Sequence, residues 1–196
     1  MLGLGSSITS GVPESKYSAS FDGTEDYIDF GNVNNLGVGD FSFSFWVKFS
    51  EATSQNLISK YYDSDNRWFI RTQGTDKIQF LARVGASTVM DLSYSGSAIS
   101  EDAWHHVVVT CDRSESDGLK IYLDNSAGTA GAGSTTDIDN TGDVYIGRQN
   151  TAYGASILHE VGIWNVALSA AAVTAIYNSG SPLNLKFDQG NYDNSS

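Results

Sequence analysis

The side chains of this chain that could do chemistry are its carboxylates, two adjacent histidines, one cysteine and a short aromatic run rich in amides and acids. Glycoside hydrolysis needs two carboxylates projecting from one strand face, so acidic residues should recur at even spacing. The six glutamates, Glu14, Glu25, Glu51, Glu101, Glu115 and Glu160, include no pair two or four residues apart on a predicted strand. The expectation is therefore a protein that is not an enzyme. His105 and His106 are neighbours on a predicted strand, where successive side chains point to opposite faces. They cannot readily chelate one ion, and both read as framework residues. No Ser-His-Asp or Cys-His arrangement can be assembled from proximity in the sequence, and Cys111 has no electropositive activator beside it.

Hard cations prefer carboxylate and carbonyl oxygens gathered on loops. The acidic turn Asp22-Gly23-Thr24-Glu25-Asp26 is the preferred candidate, with Asp22 and Asp26 as ligands for a structural Ca²⁺ and a solvated, metal-free turn as the alternative. Two other acidic loops fail as EF-hands. Thr141 and Arg148 stand at the fifth and twelfth positions after Asp137, and Arg67 stands at the fifth after Asp63. For glycan or partner binding, the useful groups are an aromatic platform with amides and carboxylates nearby. Tyr61, Tyr62, Asp63, Asp65, Asn66 and Trp68 supply these in one loop, and Tyr153 in a second. The competing reading buries Trp68 and one tyrosine in the core or rim.

These groups must be positioned by strands. Trp104-His105-His106-Val107-Val108-Val109-Thr110 is apolar on both alternating faces and reads as a central strand covered on each side, inside a two-sheet sandwich. Asp40 to Phe49 alternates almost without fault, with Phe41, Phe43, Phe45, Val47 and Phe49 on one face. Further strands are predicted at 17–21, 27–30, 56–60, 68–72, 77–82, 88–94, 119–123, 143–146 and 157–164, and a long loop at 127–142. One short helix, placed at an edge, follows the N-cap candidate Ser169 and covers Ala170 to Tyr177, with Gly180 as its stop.

With 196 residues, 40% hydrophobic, the chain can bury one sizeable core. A net charge of −12, without a basic cluster, argues against nucleic acid as a partner. No apolar run approaches membrane-spanning length, which excludes a membrane-spanning helix. The single cysteine excludes an internal disulfide. The expected organisation is a flexible arm at 1–16, a sandwich at 17–180 and a tail at 181–196 carrying one candidate strand at 183–187.

Several motifs together resemble the LamG-like jellyroll branch of the laminin G-like, concanavalin A-like superfamily. They are Ser20 to Ile28, Phe41 to Lys48, Trp104 to Thr110, Leu119 to Asp124, Tyr145-Ile146-Gly147-Arg148 and Leu158 to Ser169. The resemblance implies an all-β fold, a two-sheet antiparallel jelly roll with one short helix near the C-terminus. It also implies a structural Ca²⁺ near the sheet rim, although His159 replaces the aspartate usual in the closing motif.

Because this fold hosts many functions, two readings of function follow. The first is a non-enzymatic structural or attachment protein of a bacteriophage virion, made in the host cytoplasm: a capsid decoration, tail or fibre component. It begins with its own Met and lacks a signal sequence, and its terminal segments would dock on neighbouring virion proteins, as a homo-oligomer. The second is a carbohydrate-binding or adhesion module of a bacterial surface or secreted protein. A polysaccharide-active enzyme of the same fold ranks behind both.

Overall fold

The computed structural model describes residues 17–183. In chain order its strands are β1 (Ala19–Asp22), β2 (Ile28–Asp29), β3 (Phe41–Lys48), β4 (Asn56–Tyr61), β5 (Arg67–Thr72), β6 (Ile78–Val84) and β7 (Ser87–Ser93), then β8 (His105–Cys111), β9 (Leu119–Leu123), β10 (Ser126–Ala127), β11 (Asp143–Ile146), β12 (Arg148–Gln149), β13 (Ala152–Tyr153) and β14 (Ala155–Trp164). Helix α1 (Ala170–Tyr177) follows. Sheet A has the order β1-β14-β3-β8-β9-β10 and sheet B the order β2-β11-β4-β5-β6-β7; β12 and β13 pair as a small hairpin. The neighbours within each sheet are antiparallel. The expected two-sheet jelly-roll sandwich is the observed architecture. The expected arm at 1–16 and most of the 181–196 tail, including the candidate strand at 183–187 beyond Leu183, lie outside the described residues.

The alternation of β3 explains how the sheets close. Phe41, Phe43, Phe45, Val47 and, just past its end, Phe49 are fully buried against residues of sheet B such as Ile58, Trp68, Ile70 and Phe80. The opposite face of β3 is also covered. Ser42 Oγ accepts from Leu168 N at 2.9 Å and donates to Val166 O at 2.8 Å, and Ser44 Oγ lies 2.8 Å from His106 Nε2. These bonds satisfy hydroxyls that would otherwise be buried without partners. They also fix the segment leading into α1.

Helix α1 starts where expected, with Ser169 Oγ accepting from Ala172 N at 3.2 Å. It ends at Asn178, whose left-handed backbone (φ 46°) caps the helix before Gly180 is reached. The helix does not lie at an edge. Ala172, Val173 and Ile176 pack on Val108 and Tyr122, so α1 covers the outer face of sheet A. That is why the β8 run is apolar on both sides: Val107 and Val109 face the sandwich core, and Val108 faces the helix. Trp104, expected to begin this strand, precedes it and is 41% exposed.

The sequence reading missed β10, β12 and β13, each two residues long. The turn into β10 is Asp124-Asn125, both at positive φ (50° and 65°), a two-residue hairpin of a kind that Asp and Asn tolerate. Much of the 127–142 loop is irregular, and Arg113 pins it by donating to the carbonyls of Ser134 and Thr136.

Candidate functional site

The outer face of sheet B carries no covering helix among the described residues, and alternation decides which side chains it presents. On β5, Trp68 and Ile70 point into the core, so Arg67, Phe69 and Arg71 point out. On β6 the outward set is Gln79, Leu81 and Arg83; on β4 it includes Ser59 and Tyr61; on β11 it is Asp143 and Tyr145.

This parity corrects the expected aromatic platform. Trp68 is fully buried, 5.1 Å from Phe43 between ring centroids, and cannot meet a ligand from outside. The polar residues of its loop are largely engaged in the fold. Asp63 Oδ1 accepts from Asp65 N at 2.8 Å and Asn66 N at 2.7 Å, which holds its carboxyl below the usual carboxylate range. Asn66 Oδ1 accepts from Gly85 N at 3.1 Å, fastening this loop to the β6–β7 turn, and Asp65 lies 3.6 Å from Arg83. Tyr62 is exposed, while Tyr61 lies on the sheet face with the Arg67 guanidinium 6.0 Å from its ring centroid.

Tyr153 belongs to a different assembly. The Arg148 guanidinium carbon sits 4.5, 5.0 and 5.6 Å from the ring centroids of Tyr27, Tyr145 and Tyr153, the geometry of a cation held among aromatic rings. Tyr27 is 5.8 Å from Tyr145 and 6.0 Å from Tyr153. The hairpin that brings Arg148 here leaves β11 at Gly147, whose positive φ (81°) and tight approach to Phe21 leave no room for a Cβ. Ser59 Oγ then donates to Arg148 O at 2.6 Å, fixing the hairpin to β4. Tyr27, Tyr145 and Arg148 were not singled out as site residues in the sequence. The outward parity of Tyr145 in Asp143–Ile146 is the signal that could have found one of them.

Next to this cluster, Phe69 is buried although it faces outward. The guanidinium of Arg67, 5.9 Å from its ring centroid, and that of Arg71, 4.7 Å away, flank it. Arg71 Nε donates to Gln79 Oε1 at 2.9 Å, and Gln79 Nε2 donates to Asp91 Oδ1 at 2.6 Å. Arg67 pairs directly with Arg83 across β5 and β6. Four of the chain's five arginines therefore lie on or beside this face.

The Asp22 to Asp26 turn closes on itself. Asp22 Oδ2 accepts from the Thr24 hydroxyl at 2.6 Å, and Oδ1 accepts from the amides of Thr24, Glu25 and Asp26 at 2.8, 3.1 and 3.4 Å. Thr24 first, then the other amides, holds the Asp22 carboxyl well below its ordinary range. Asp26 Oδ2 accepts from Asp22 N at 3.3 Å. Both Asp22 oxygens thus serve the turn itself. Among the described residues no three His, Cys, Asp or Glu side chains are grouped to hold a metal.

The two histidines diverge as expected, but one joins an arrangement that proximity in the sequence did not show. Ser100 Oγ lies 2.8 Å from His105 Nε2, and His105 Nδ1 lies 2.7 Å from Asp124 Oδ2. The order matches a nucleophile, base and orienting acid. The amides of Ile99 and Asp102, one residue before and two after Ser100, donate to the carbonyls of Asp76 and Phe49 and tie this loop to its neighbours. Asp124 Oδ1 also accepts from His106 N at 2.9 Å. His106 is buried beside Trp46 and Tyr177, and burial pushes its pKa down to about 4. Cys111 is buried, with its thiol pushed up to about 12. One further open feature is a groove of about 520 Å³ whose lining includes Asn34, Asn35, Asp40, Trp164 and Asn165.

Comparison with known proteins agrees with this architecture. Solved structures with the same fold include a native heptameric SAP-like pentraxin from Limulus polyphemus (15% identity, 81% of this chain and 80% of that one, TM-score 0.62). They also include the CBM40 of a Ruminococcus gnavus IT-sialidase bound to α2,3-sialyllactose (13%, 85% and 99%, TM-score 0.64). A third is domain 4 of AbnA, a GH43 extracellular arabinanase from Geobacillus stearothermophilus, in complex with arabinotriose (17%, 84% and 79%, TM-score 0.62). A search of curated protein sequences returned no match. The family model described as the concanavalin A-like lectin/glucanases superfamily matches residues 22–174, and this chain belongs to that family.

Proposed function

We propose that this chain is a non-enzymatic glycan-binding module whose ligand lies against the outer face of sheet B, at the tyrosines gathered around Arg148. The observation that carries this reading is the Tyr27, Tyr145 and Tyr153 cluster with a guanidinium at its centre, on a sheet face left open by the single helix. Tyrosine offers an apolar ring for the C–H face of a sugar and a hydroxyl for its polar rim. Arginine adds directional donors. Two of the structural neighbours hold oligosaccharides, which supports the reading by analogy of fold.

A glycan array followed by calorimetry on the best hit tests it. The wild type should bind saturably, and Tyr145→Ala or Tyr153→Ala should weaken binding about tenfold. An array without hits at high protein concentration overturns the reading. Loss of binding in Trp164→Ala alone moves the site to the Asn34–Trp164 groove.

The same face would serve a bacteriophage attachment component or a module of a bacterial surface protein. Detection of the chain in purified virions or in the cell-surface fraction decides between these locations. Contacts through the terminal segments, and a homo-oligomer, belong to the same proposal and are tested by truncation and by mass in solution.

A further inference from the structure

We infer that the open face of sheet B selects an acidic polysaccharide, seating a carboxylate or sulfate group of the sugar chain between Arg67 and Arg83. This rests on the glycan-binding reading and adds the chemical class of the ligand.

Arg67 on β5 and Arg83 on β6 are direct partners in the antiparallel ladder, on the outward face. Residues so paired have Cβ atoms about 5 Å apart, and like charges there repel. Arg71, two positions beyond Phe69, brings a third guanidinium; its pKa is lowered by burial and further by the charge of Arg67. The Nε atoms of both Arg67 and Arg83 are buried without a hydrogen-bond partner among the described residues. Facing like charges are costly, and an anion bridging the solvent-facing N–H groups of the two guanidiniums would relieve the repulsion.

The acids nearby do not do this. Asp65, 3.6 Å from Arg83, makes the one Arg–carboxylate contact within 4 Å among the described residues. Asp63 Oδ1 is engaged by its own turn, Asp91 binds Gln79, and Asp143 receives the Tyr145 hydroxyl at 3.4 Å. Asp29, on the edge strand, pairs with Tyr145 in the ladder and accepts from Gly31 N at 2.7 Å.

A neutral sugar would need acceptors beside these donors, whereas the Arg67–Arg83 pair offers donors alone. In a chain of net charge −12, four of five arginines lie on or beside this face, and Arg67 and Arg83 stand side by side on it, so an anion there meets two guanidiniums at once. From β11, which carries Tyr145, to β6, which carries Arg83, is three strand spacings, roughly 14 Å. An extended sugar chain lying across the strands would engage the tyrosine cluster and the arginine pair together.

Calorimetry with chemically matched polymers tests this: dextran against dextran sulfate, and methyl-esterified against free polygalacturonate, each at low and high salt. The acidic form should bind about tenfold more tightly than its neutral partner, and the advantage should shrink with added salt. Arg67→Gln with Arg83→Gln should abolish the preference and keep binding of a neutral ligand at the tyrosines, with circular dichroism showing the fold retained. Whether sulfate or uronate gives the larger advantage identifies which anion is held. Equal binding of neutral and acidic forms, or a preference that survives the double substitution, overturns this inference while the glycan-binding reading stands. Binding of no polymer overturns both. Equal affinity for a single-stranded DNA oligomer of matched charge also overturns it, because the face would then read charge without sugar.

Discussion

His105 Nδ1 lies 2.7 Å from Asp124 Oδ2, and this contact joins the first residue of β8 to the β9–β10 turn. The same carboxylate also receives the amide of His106. Asp124→Ala removes both bonds and should lower stability by about 2 kcal/mol in chemical denaturation. His105→Ala should cost about 1 kcal/mol. Ser100→Ala should change stability least, since Ser100 is exposed, and should leave hydrolysis of acetyl esters at the level of the buffer. Ester turnover that disappears in Ser100→Ala would show that the three residues act as a nucleophilic triad.

Acid should loosen α1 through His106. Its folded pKa, about 4, lies below the unfolded value of 6.5, so the unfolded chain binds the extra proton between these values. The stability this represents is fully present above pH 6.5 and is lost as pH falls to about 4, on the order of 3 kcal/mol. The groups facing the ring are Ser44, Trp46, Tyr177 and Glu160, with the Asp124 charge nearby. Thermal melts across this window should show the loss, and His106→Gln should flatten it. The carboxylates Asp22, Asp63 and Asp124, whose pKa values are lowered, add a further loss only below the ordinary carboxylate range.

Packing and binding should separate cleanly between two aromatic residues. Trp68→Ala empties a buried site beside Phe43 and should cost about 3–5 kcal/mol. Tyr145→Ala should cost much less in stability and more in sugar affinity. Equilibrium unfolding and calorimetry on the two variants give the comparison.

Ala86 occupies the left-handed region (φ 70°) in the two-residue turn between β6 and β7, where a Cβ is disfavoured. Ala86→Gly should raise stability by up to about 1 kcal/mol, read as a higher denaturation midpoint. The substitution retains the carbonyl that accepts from Arg83 Nη2 at 2.6 Å.

Calcium at the Asp22 turn is tested by melting in chelator and in millimolar CaCl₂. Because the turn's own donors occupy Asp22, the two melts should coincide. A rise in Tm with calcium that vanishes in Asp22→Asn would reverse this, since a ligand at a hundred times its Kd adds about 2.7 kcal/mol.

The fold was legible in the sequence because its strands carry a period-two pattern over many residues. Phe41 to Phe49 and the β8 run alone required a two-sided sandwich. The site was less legible, for a physical reason. A loop that reads Tyr-Tyr-Asp-Ser-Asp-Asn-Arg-Trp looks like a binding platform until one fixes which residue begins the alternation of β5. Beginning it at Arg67 turns Trp68 inward and makes Arg67, Phe69 and Arg71 the outward set. The Arg148 cluster draws on Tyr27, Tyr145 and Tyr153, brought together by pairing between β2 and β11 and by the β12–β13 hairpin. Local pattern does not encode such long-range pairings.

The helix on sheet A has a geometric consequence. Described residues enter the fold at β1 and leave it after α1, both on the sheet A side. Over its described residues the sandwich is thus two-sided, with one outer face closed by the helix and the other, on sheet B, bare of any helix.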